Sequence, residues 1–405
     1  MSGVDTLFVG GVLLTQDPAS PTAEALAVRD GRIAAVGRRD DVESLAGPAT
    51  RRVDLAGGAL LPGFNDAHVH VWKVGQLLTS ILDLRGVKSL TELDALLRER
   101  AGQLPEGAWV LGRGYNEALM AEGRQPDRHD LDAACPDRPV ALTRTCGHMM
   151  VVNSDALRRS GVDRDAESPP GGAIVRDACG EPTGLLQETA MGFAKREIPD
   201  PSVEDYQDML RAAHRAQLRK GITSATEAGA YVDLVAAYRE LDRTGELAVR
   251  SNVMAMRLAD ETVDPLPLPE RHVSDSLRVD SVKLFADGGL SGATAYLSSR
   301  YRHEDVRGLM RADADGLYEM AKGASERGLR VCTHAIGDAA IQCVLDAYER
   351  LDRPGSRIEH FGLPRAGQLD LARRLGVIAA PQTIFIHSLG PNFRRYLTDD
   401  FLERC

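Results

Sequence analysis

Short apolar runs separated by turn residues fill the first 58 positions of the chain. The runs lie at residues 6–9, 12–14, 25–28 and 33–36. Asp30-Gly31 stands between the last two of them, and this is a strong hairpin signal, because a tight primed turn needs positive φ at its central residues. We predict that residues 1–58 form a small antiparallel β domain.

After residue 58, strand-like apolar runs alternate with helical stretches, which is the mark of βα units and a parallel sheet. Seven strands are predicted, at residues 59–67, 222–228, 249–256, 281–286, 329–334, 357–361 and 377–381. The predicted fold class is therefore α/β, a (β/α)8 barrel of the TIM type over residues 59–405. An insertion at about residues 72–215 exceeds what a minimal barrel needs, and we expect it to form a lid or a substrate wall.

Composition and charge narrow the class of protein. The 405 residues are 43% hydrophobic and 27% charged, enough for a large buried core. The net charge of -10, without a Lys/Arg block, argues against nucleic acid or an anionic membrane as a partner. No apolar stretch is long enough to span a membrane and no basic leader precedes one, so we expect a cytoplasmic enzyme. The six cysteines lack Cys-x-x-Cys spacing, and reduced thiols are expected.

Histidines mark the ends of three predicted strands. His68 and His70 close the first strand, and residues two apart in an extended segment point to the same side, so both imidazoles can reach one metal ion. His334 ends the fifth strand and His360 the sixth. Because the carboxyl ends of barrel strands meet at one mouth, these side chains are predicted to converge there.

Lys283 lies inside the apolar fourth strand. Burying an ammonium group is costly, so this lysine must be neutral, paired or chemically changed. One simple alternative is an ion pair with Asp287 or Glu227, since buried charges are usually paired.

Three further residues are candidates for substrate binding. They are His148 and Tyr115 in the insertion, and Asp287 after the fourth strand. For His148 the alternative is ordinary packing with a hydrogen bond to the backbone. His387, beyond the seventh strand, is better explained as an ordinary loop residue.

Several separate sequence blocks resemble one known family. The blocks are residues 61–70, 283–288, 333–338 and 359–362. Together they resemble the metal-dependent amidohydrolase superfamily. Residues 112–116 and 143–157 in the insertion are similar to motifs of its amidohydrolase 3 group, the deacylase or formamide-deformylase-like hydrolases.

The resemblance implies a metal centre and an activity. In the family, His68 and His70 would hold one divalent ion, His334 and His360 a second, and Lys283, carrying a carbamate, would bridge them. One or two zinc ions are expected, although other divalent metals suit such ligands. The implied reaction is hydrolysis of a non-peptide C–N bond in a small molecule, an amide, formamide or cyclic amide, by metal-activated water. The oligomeric state is open, a homo-oligomer included.

The chain departs from the family pattern toward its C-terminus. Members carry an aspartate at the end of an eighth strand, which serves as general base, and no counterpart follows the seventh predicted strand here. Asp287 and Asp338 are poorly placed substitutes. We therefore expect a truncated product or partial sequence: a barrel without strand 8, and an incomplete N-terminal β-sandwich. Two alternatives stay open, a catalytically impaired homologue that acts only as a binding chain, and a hydrolase of phosphoesters.

Overall fold

A computed structural model of the chain describes residues 3–145, 147–258, 265–290, 293–302 and 305–404. The chain divides into two compact units. One comprises the chain up to Asp66 together with Lys220–Ser224, and the other comprises Ala67–Arg219 and the chain from Ala225 onward. The strand Phe64–Val69 is shared between the two units, so the boundary at residue 58 stays a prediction.

The first unit contains two small sheets. Their strands lie in the orders Arg32–Gly37, Ala25–Arg29, Thr6–Val9, Arg51–Asp54 and Thr22–Ala23, Val12–Leu14, Ala59–Leu60. The Asp-Gly hairpin is confirmed, because Ala25–Arg29 and Arg32–Gly37 pair antiparallel. Asp30 and Gly31 have φ angles of 51° and 69°, as a primed turn requires.

Two pairings correct the expectation that residues 1–58 are antiparallel throughout. Arg51–Asp54 pairs parallel with Thr6–Val9, and Ala59–Leu60 pairs parallel with Val12–Leu14. The physical reason for the first is a helix, Arg39–Glu43, in the connection between the two edge strands of the larger sheet. A crossover of this kind lets the chain re-enter the sheet in a parallel direction. The helix is one short, mostly polar turn, which the apolar pattern does not reveal.

The largest sheet contains seven barrel strands in sequence order, six of them at the predicted places. They are Phe64–Val69, Ile222–Ala230, Arg250–Met256, Leu277–Phe285, Arg330–Ala335, Arg357–His360 and Ile378–Ala380, with His272–Val273 added antiparallel beside the fourth. The predicted first strand, 59–67, is divided, because Ala59–Leu60 belongs to a small sheet of the first unit and the barrel strand begins only at Phe64. Every neighbouring pair from Arg250 onward is parallel, as predicted. The accompanying helices are Val71–Thr79, Val203–Leu218, Val232–Arg243, Ala314–Glu326, Asp338–Leu351, Ala366–Arg374, Ile384–Tyr396 and Asp399–Leu402.

This sheet is a nearly closed barrel. Within the described ranges, the first strand, Phe64–Val69, and the last, Ile378–Ala380, are not paired with each other. Side chains from the sixth strand nevertheless reach the first, since Arg357 Nη2 donates to the carbonyl of Ala67 at 3.0 Å. That the barrel lacks an eighth strand stays a prediction.

The insertion is a folded layer with its own sheet. Its six strands lie in the order Gly172–Arg176, Pro182–Glu188, Met149–Val152, Val140–Arg144, Val110–Tyr115 and Ile81–Asp83. Its helices are Leu90–Gln103, Arg128–Ala134, Ser154–Arg159 and Met191–Lys195, with a 3-10 turn at Glu117–Leu119. Leu93, Leu131 and Leu142 are fully buried in its core. The insertion therefore has a buried core of its own, and its role as lid or wall stays a prediction.

Two observations bear on the class of protein. No helix in the described ranges combines the length and the apolar character needed to cross a membrane. Cys135, Cys179, Cys332 and Cys343 are free thiols, as expected, and the first and third of these are buried. Cys146 and Cys405 lie outside the described residues.

Gly75 allows a close approach of the helices Val71–Thr79 and Val203–Leu218. A Cβ atom at Gly75 would lie 2.0 Å from the backbone oxygen of Met209. We expect Gly75→Ala to lower the free energy of unfolding by about 1–3 kcal/mol, because the backbones must move apart. Gly102 is a matched control in another helix, Leu90–Gln103. A Cβ atom there would have no described atom within 4 Å. Gly102→Ala should raise the free energy of unfolding by roughly 0.5–1 kcal/mol. Urea unfolding measures both variants. Equal stability of the two would contradict a close helix contact at Gly75.

Candidate metal centre

The structure brings three of the predicted ligands into one cluster. The imidazole centroids of His68 and His360 lie 4.8 Å apart, and those of His334 and His360 lie 4.4 Å apart. These residues come from the first, fifth and sixth strands of the barrel sheet. The carboxyl ends of these strands therefore meet at one edge, which is where barrel enzymes place their reacting groups.

His70 lies at the margin of this cluster. The strand ends at Val69, and His70 (φ −92°, ψ 84°) begins the following helix instead of extending the strand. Its ring centroid lies 6.0 Å from that of His68, with the two planes at 83°. Its Nδ1 is buried 3.5 Å from Oε1 of Glu227, and neither atom has a hydrogen-bond partner among the described residues. This leaves His70 positioned beside a buried carboxylate.

Lys283 is fully buried and close enough to the three clustered histidines for its charge to act on them. Its Nζ lies 5.0 Å from the ring centroid of Phe285. In the described structure, neither Asp287 nor Glu227 forms an ion pair with it, so the simple alternative is not supported. Burial lowers the pKa of Lys283 to about 8, although the charge of Glu359 opposes the shift. A neutral amine is therefore accessible near neutral pH.

Burial also keeps the histidines neutral. It lowers the pKa of His334 to about 3, and it lowers the pKa of His68 and of His360. The charge of Lys283 acts in the same direction on all three. Neutral imidazole is the form that binds metal ions.

Glu359 is a site residue that the sequence analysis missed. Its fully buried carboxylate accepts hydrogen bonds from Arg357 Nε at 2.8 Å and Nη2 at 3.0 Å. Nδ1 of His68 lies 2.5 Å from Oε2, the same oxygen that accepts from Arg357 Nη2. Burial opposes ionisation, but the hydrogen bonds from His68 and Arg357 prevail and lower the pKa of Glu359 to about 2. A carboxylate in this position fixes the ring and makes Nε2 the basic nitrogen.

A left-handed backbone segment explains how adjacent residues reach the same cluster. In a regular strand Glu359 and His360 would point to opposite faces. His360 and Phe361 instead have φ angles of 70° and 47°. Such strain persists where the surroundings enforce it, often at functional sites. Nδ1 of His360 donates to Oε1 of Gln382, a second residue that the sequence analysis missed.

Asp287 is held by backbone amides. The amides of Tyr296, Ile336 and Gly337 donate to its carboxylate at 2.8–3.1 Å, and Nε2 of His334 lies 3.5 Å away. Burial raises the pKa of Asp287 to about 7, although these amides act against it. The carboxylate therefore ties the connection after the fourth strand to the one after the fifth, and a direct contact with substrate stays a prediction.

The candidates in the insertion lie in different settings. Tyr115 is fully buried, and its hydroxyl donates to Oε1 of Gln125 at 3.0 Å. His148 is half-exposed, with Nδ1 3.0 Å from Oε2 of Glu188. The burial of Tyr115 does not favour a substrate contact, and for both residues that role stays a prediction. His387 lies exposed in the helix Ile384–Tyr396.

The nitrogen and oxygen atoms of these side chains are suitable ligands for a metal ion. Their present arrangement, however, does not surround a single point where an ion could lie. In the described part of the chain, no group of three or more His, Cys, Asp or Glu side chains could hold a metal as it stands. Nε2 of His334 donates instead to the carbonyl of Gly288 at 2.9 Å. Yet each neutral imidazole keeps one basic nitrogen, and the buried Nδ1 of His70 has no described partner. Imidazoles of this kind suit zinc.

Glu359→Gln tests the link between this carboxylate and the cluster. We expect metal affinity to fall by about 10–100-fold, because the negative charge that orients His68 is lost. The matched control is Glu117→Gln, since Glu117 pairs with Arg144 at 2.8 Å within the insertion. Competition with a chelating dye measures both affinities. Equal affinity of Glu359→Gln and the unchanged protein would show that Glu359 does not support the centre.

Comparison with known proteins connects the chain with amidohydrolases. The model of the amidohydrolase family matches residues 51–402. The chain is 33% identical to the putative amidohydrolase YtcJ of Bacillus subtilis, over 90% of this chain and 69% of that protein. It is 31% identical to LONG AFTER FAR-RED 3 of Arabidopsis thaliana, over 93% and 68%. It is 28% identical to an N-substituted formamide deformylase of Arthrobacter pascens, over 94% and 73%.

Two solved structures share the fold over nearly the whole chain. Both are described as uncharacterized metal-dependent hydrolases. The one from Pyrococcus furiosus has a TM-score of 0.84 and 28% identity, covering 99% of this chain and 81% of that one. The one from Pyrococcus horikoshii has a TM-score of 0.82 and 28% identity, covering 98% and 78%.

Proposed function

Because the chain belongs to the amidohydrolase family, as its motifs predicted, we propose that it hydrolyses non-peptide C–N bonds in small molecules with a bound divalent metal. The proposal rests on one observation, the cluster of neutral histidines with a buried lysine close to it. The substrate is an amide, formamide or cyclic amide. Similarity to an N-substituted formamide deformylase supports the choice of a C–N bond.

The residues proposed to hold metal fall into two pairs and a bridge. His68 and His70 would hold one ion and His334 and His360 a second, and a carbamate on Lys283 would supply an oxygen ligand between the pairs. Zinc is the proposed ion, because imidazole with oxygen ligands suits it. A divalent ion, when bound, polarises the scissile carbonyl and makes hydroxide available near neutral pH.

Lys283 contributes through its burial. A buried neutral amine can add to carbon dioxide, losing a proton and becoming a carbamate anion. This converts an expensive buried cation into an oxygen ligand. The absence of an ion pair to Asp287 or Glu227 in the described structure supports this role.

The surrounding carboxylates act on the imidazoles. Glu359 accepts the proton of His68 Nδ1 in a hydrogen bond and is itself fixed by Arg357. Glu227 lies beside Nδ1 of His70 and accepts a hydrogen bond from the amide of Trp72 at 3.1 Å. The hydrogen bond from His68 lets Glu359 select one imidazole nitrogen and orient that ring. Glu227 is close enough to His70 for an electrostatic contact only.

A substrate panel tests the reaction class. Zinc-loaded protein should release amine or ammonia from formamides and amides, and a chelator should stop it. Phosphoesters should not react, since the described wall of the pocket beside the histidines contains no arginine. Folded, metal-loaded protein that hydrolyses none of the C–N substrates would overturn the proposal and favour a chain that only binds.

A further inference from the structure

We propose that an apolar pocket beside the histidine cluster binds an uncharged hydrocarbon substituent of the substrate, of phenyl or branched-alkyl size, next to the scissile C–N bond. This inference rests on the proposed function, because it names the substrate class of that same site.

The pocket is continuous with the candidate metal centre. It has a volume of about 350 Å³, and His334 and His360 form part of its wall. Pockets for small molecules occupy roughly 300–1,000 Å³. A group bound in it would therefore lie directly beside atoms that react at the histidines.

The side chains that line the pocket are mostly apolar. Leu290, Ile336, Phe361 and Phe393 line the pocket and are each less than a tenth exposed. The described lining residues include no Asp, Glu, Lys or Arg. A charged substituent would lose its hydration there without gaining a partner, so the wall selects against carboxylates and ammonium groups.

The amide of Gln382, a polar group of the wall, is already engaged at both its oxygen and its nitrogen. Gln382 accepts a hydrogen bond from His360, and its Nε2 donates to the carbonyl of Ala380 at 2.7 Å. Phe385 stacks on the His360 ring, with centroids 5.7 Å apart and planes at 18°. A flat ring or compact alkyl group can extend this stack, whereas a polar group would compete with existing bonds.

The first experiment uses two series of substrates with the zinc-loaded full chain. N-substituted formamides place increasing bulk on the amine side, and primary amides place it on the acyl side. The specificity constant kcat/KM should rise about fourfold per buried methylene in one series. The series that responds identifies which side of the bond occupies the pocket. Hydrolysis that is indifferent to bulk in both series would overturn the inference but keep the proposed function, whereas no hydrolysis at all would overturn the proposed function.

A binding experiment tests the pocket without turnover. Fluorine NMR follows para-fluorobenzyl alcohol as it binds the folded protein. Ile386 and Ile384 lie in one helix and are each 59% exposed, but only Ile386 is among the lining residues of the pocket. We expect Ile386→Lys to weaken binding by at least about tenfold, because an ammonium then faces an apolar ligand. Ile384→Lys should bind as the unchanged protein does.

Two outcomes of that titration would contradict the pocket assignment. In one, the unchanged protein does not bind the probe. In the other, Ile386→Lys and Ile384→Lys bind it equally well. Circular dichroism of both variants checks that each is folded, and their high exposure makes unfolding unexpected.

Discussion

Replacing His334 by alanine is expected to remove bound metal and to abolish hydrolysis. His334 belongs to the cluster, with its ring 4.4 Å from that of His360 and 5.0 Å from that of Phe285. Loss of a residue that only orients a metal ligand lowers metal affinity or activity about 10–100-fold, so loss of the ligand itself should lower them further. Metal analysis and turnover of the same preparation measure the effect.

His272→Ala is the matched control for this change. His272 is also a histidine beside a carboxylate, with Nε2 2.9 Å from Oδ2 of Asp242, but it is not one of the clustered histidines. This variant should keep the metal content and activity of the unchanged protein. If His334→Ala also kept both, His334 would not be a ligand and the centre would have to be rebuilt from other residues.

Replacing Lys283 by methionine is expected to lower activity about as strongly as His334→Ala does, while leaving the fold intact. Methionine fills a similar volume without an amine, and an apolar side chain suits a fully buried position. The variant should bind less metal and lose more than about a hundredfold in turnover, beyond the range for orienting residues. Protein prepared in labelled bicarbonate should show a carbamate carbon by carbon NMR, and this signal should be missing in the variant.

Lys322→Met, at an exposed position of the helix Ala314–Glu326, controls for loss of a lysine as such. It should keep the carbamate signal and the activity. Full activity in Lys283→Met would contradict the bridging role. A carbamate signal that survived in Lys283→Met would place the modification on another amine.

The sequence predicted the barrel strands and three clustered histidines, because both follow from local pattern. Apolar runs of strand length bounded by turns indicate buried parallel strands, and residues at their carboxyl ends meet at one edge. The same local reasoning predicted the hairpin at Asp30 and Gly31, since an Asp-Gly pair by itself favours this type of turn.

The features that the sequence did not reveal depend on distant partners. Glu359 contacts His68, 291 positions away in the chain, and nothing near either residue indicates the pairing. The left-handed φ at His360 reverses the alternation that a strand implies, so Glu359 would have been assigned to the opposite face. Likewise, the strand ends at Val69 and the ring planes of His68 and His70 stand at 83°, so the pair does not have the common orientation that an extended segment implies.

The number of metal ions per folded chain tests the central claim most directly. After size exclusion, protein reconstituted with zinc and freed of excess metal should contain one or two ions per chain by plasma mass spectrometry, and His334→Ala should contain fewer. A folded, monodisperse protein that retains no divalent metal, or one whose metal content is the same in His334→Ala, would contradict the assignment of this cluster as a metal centre.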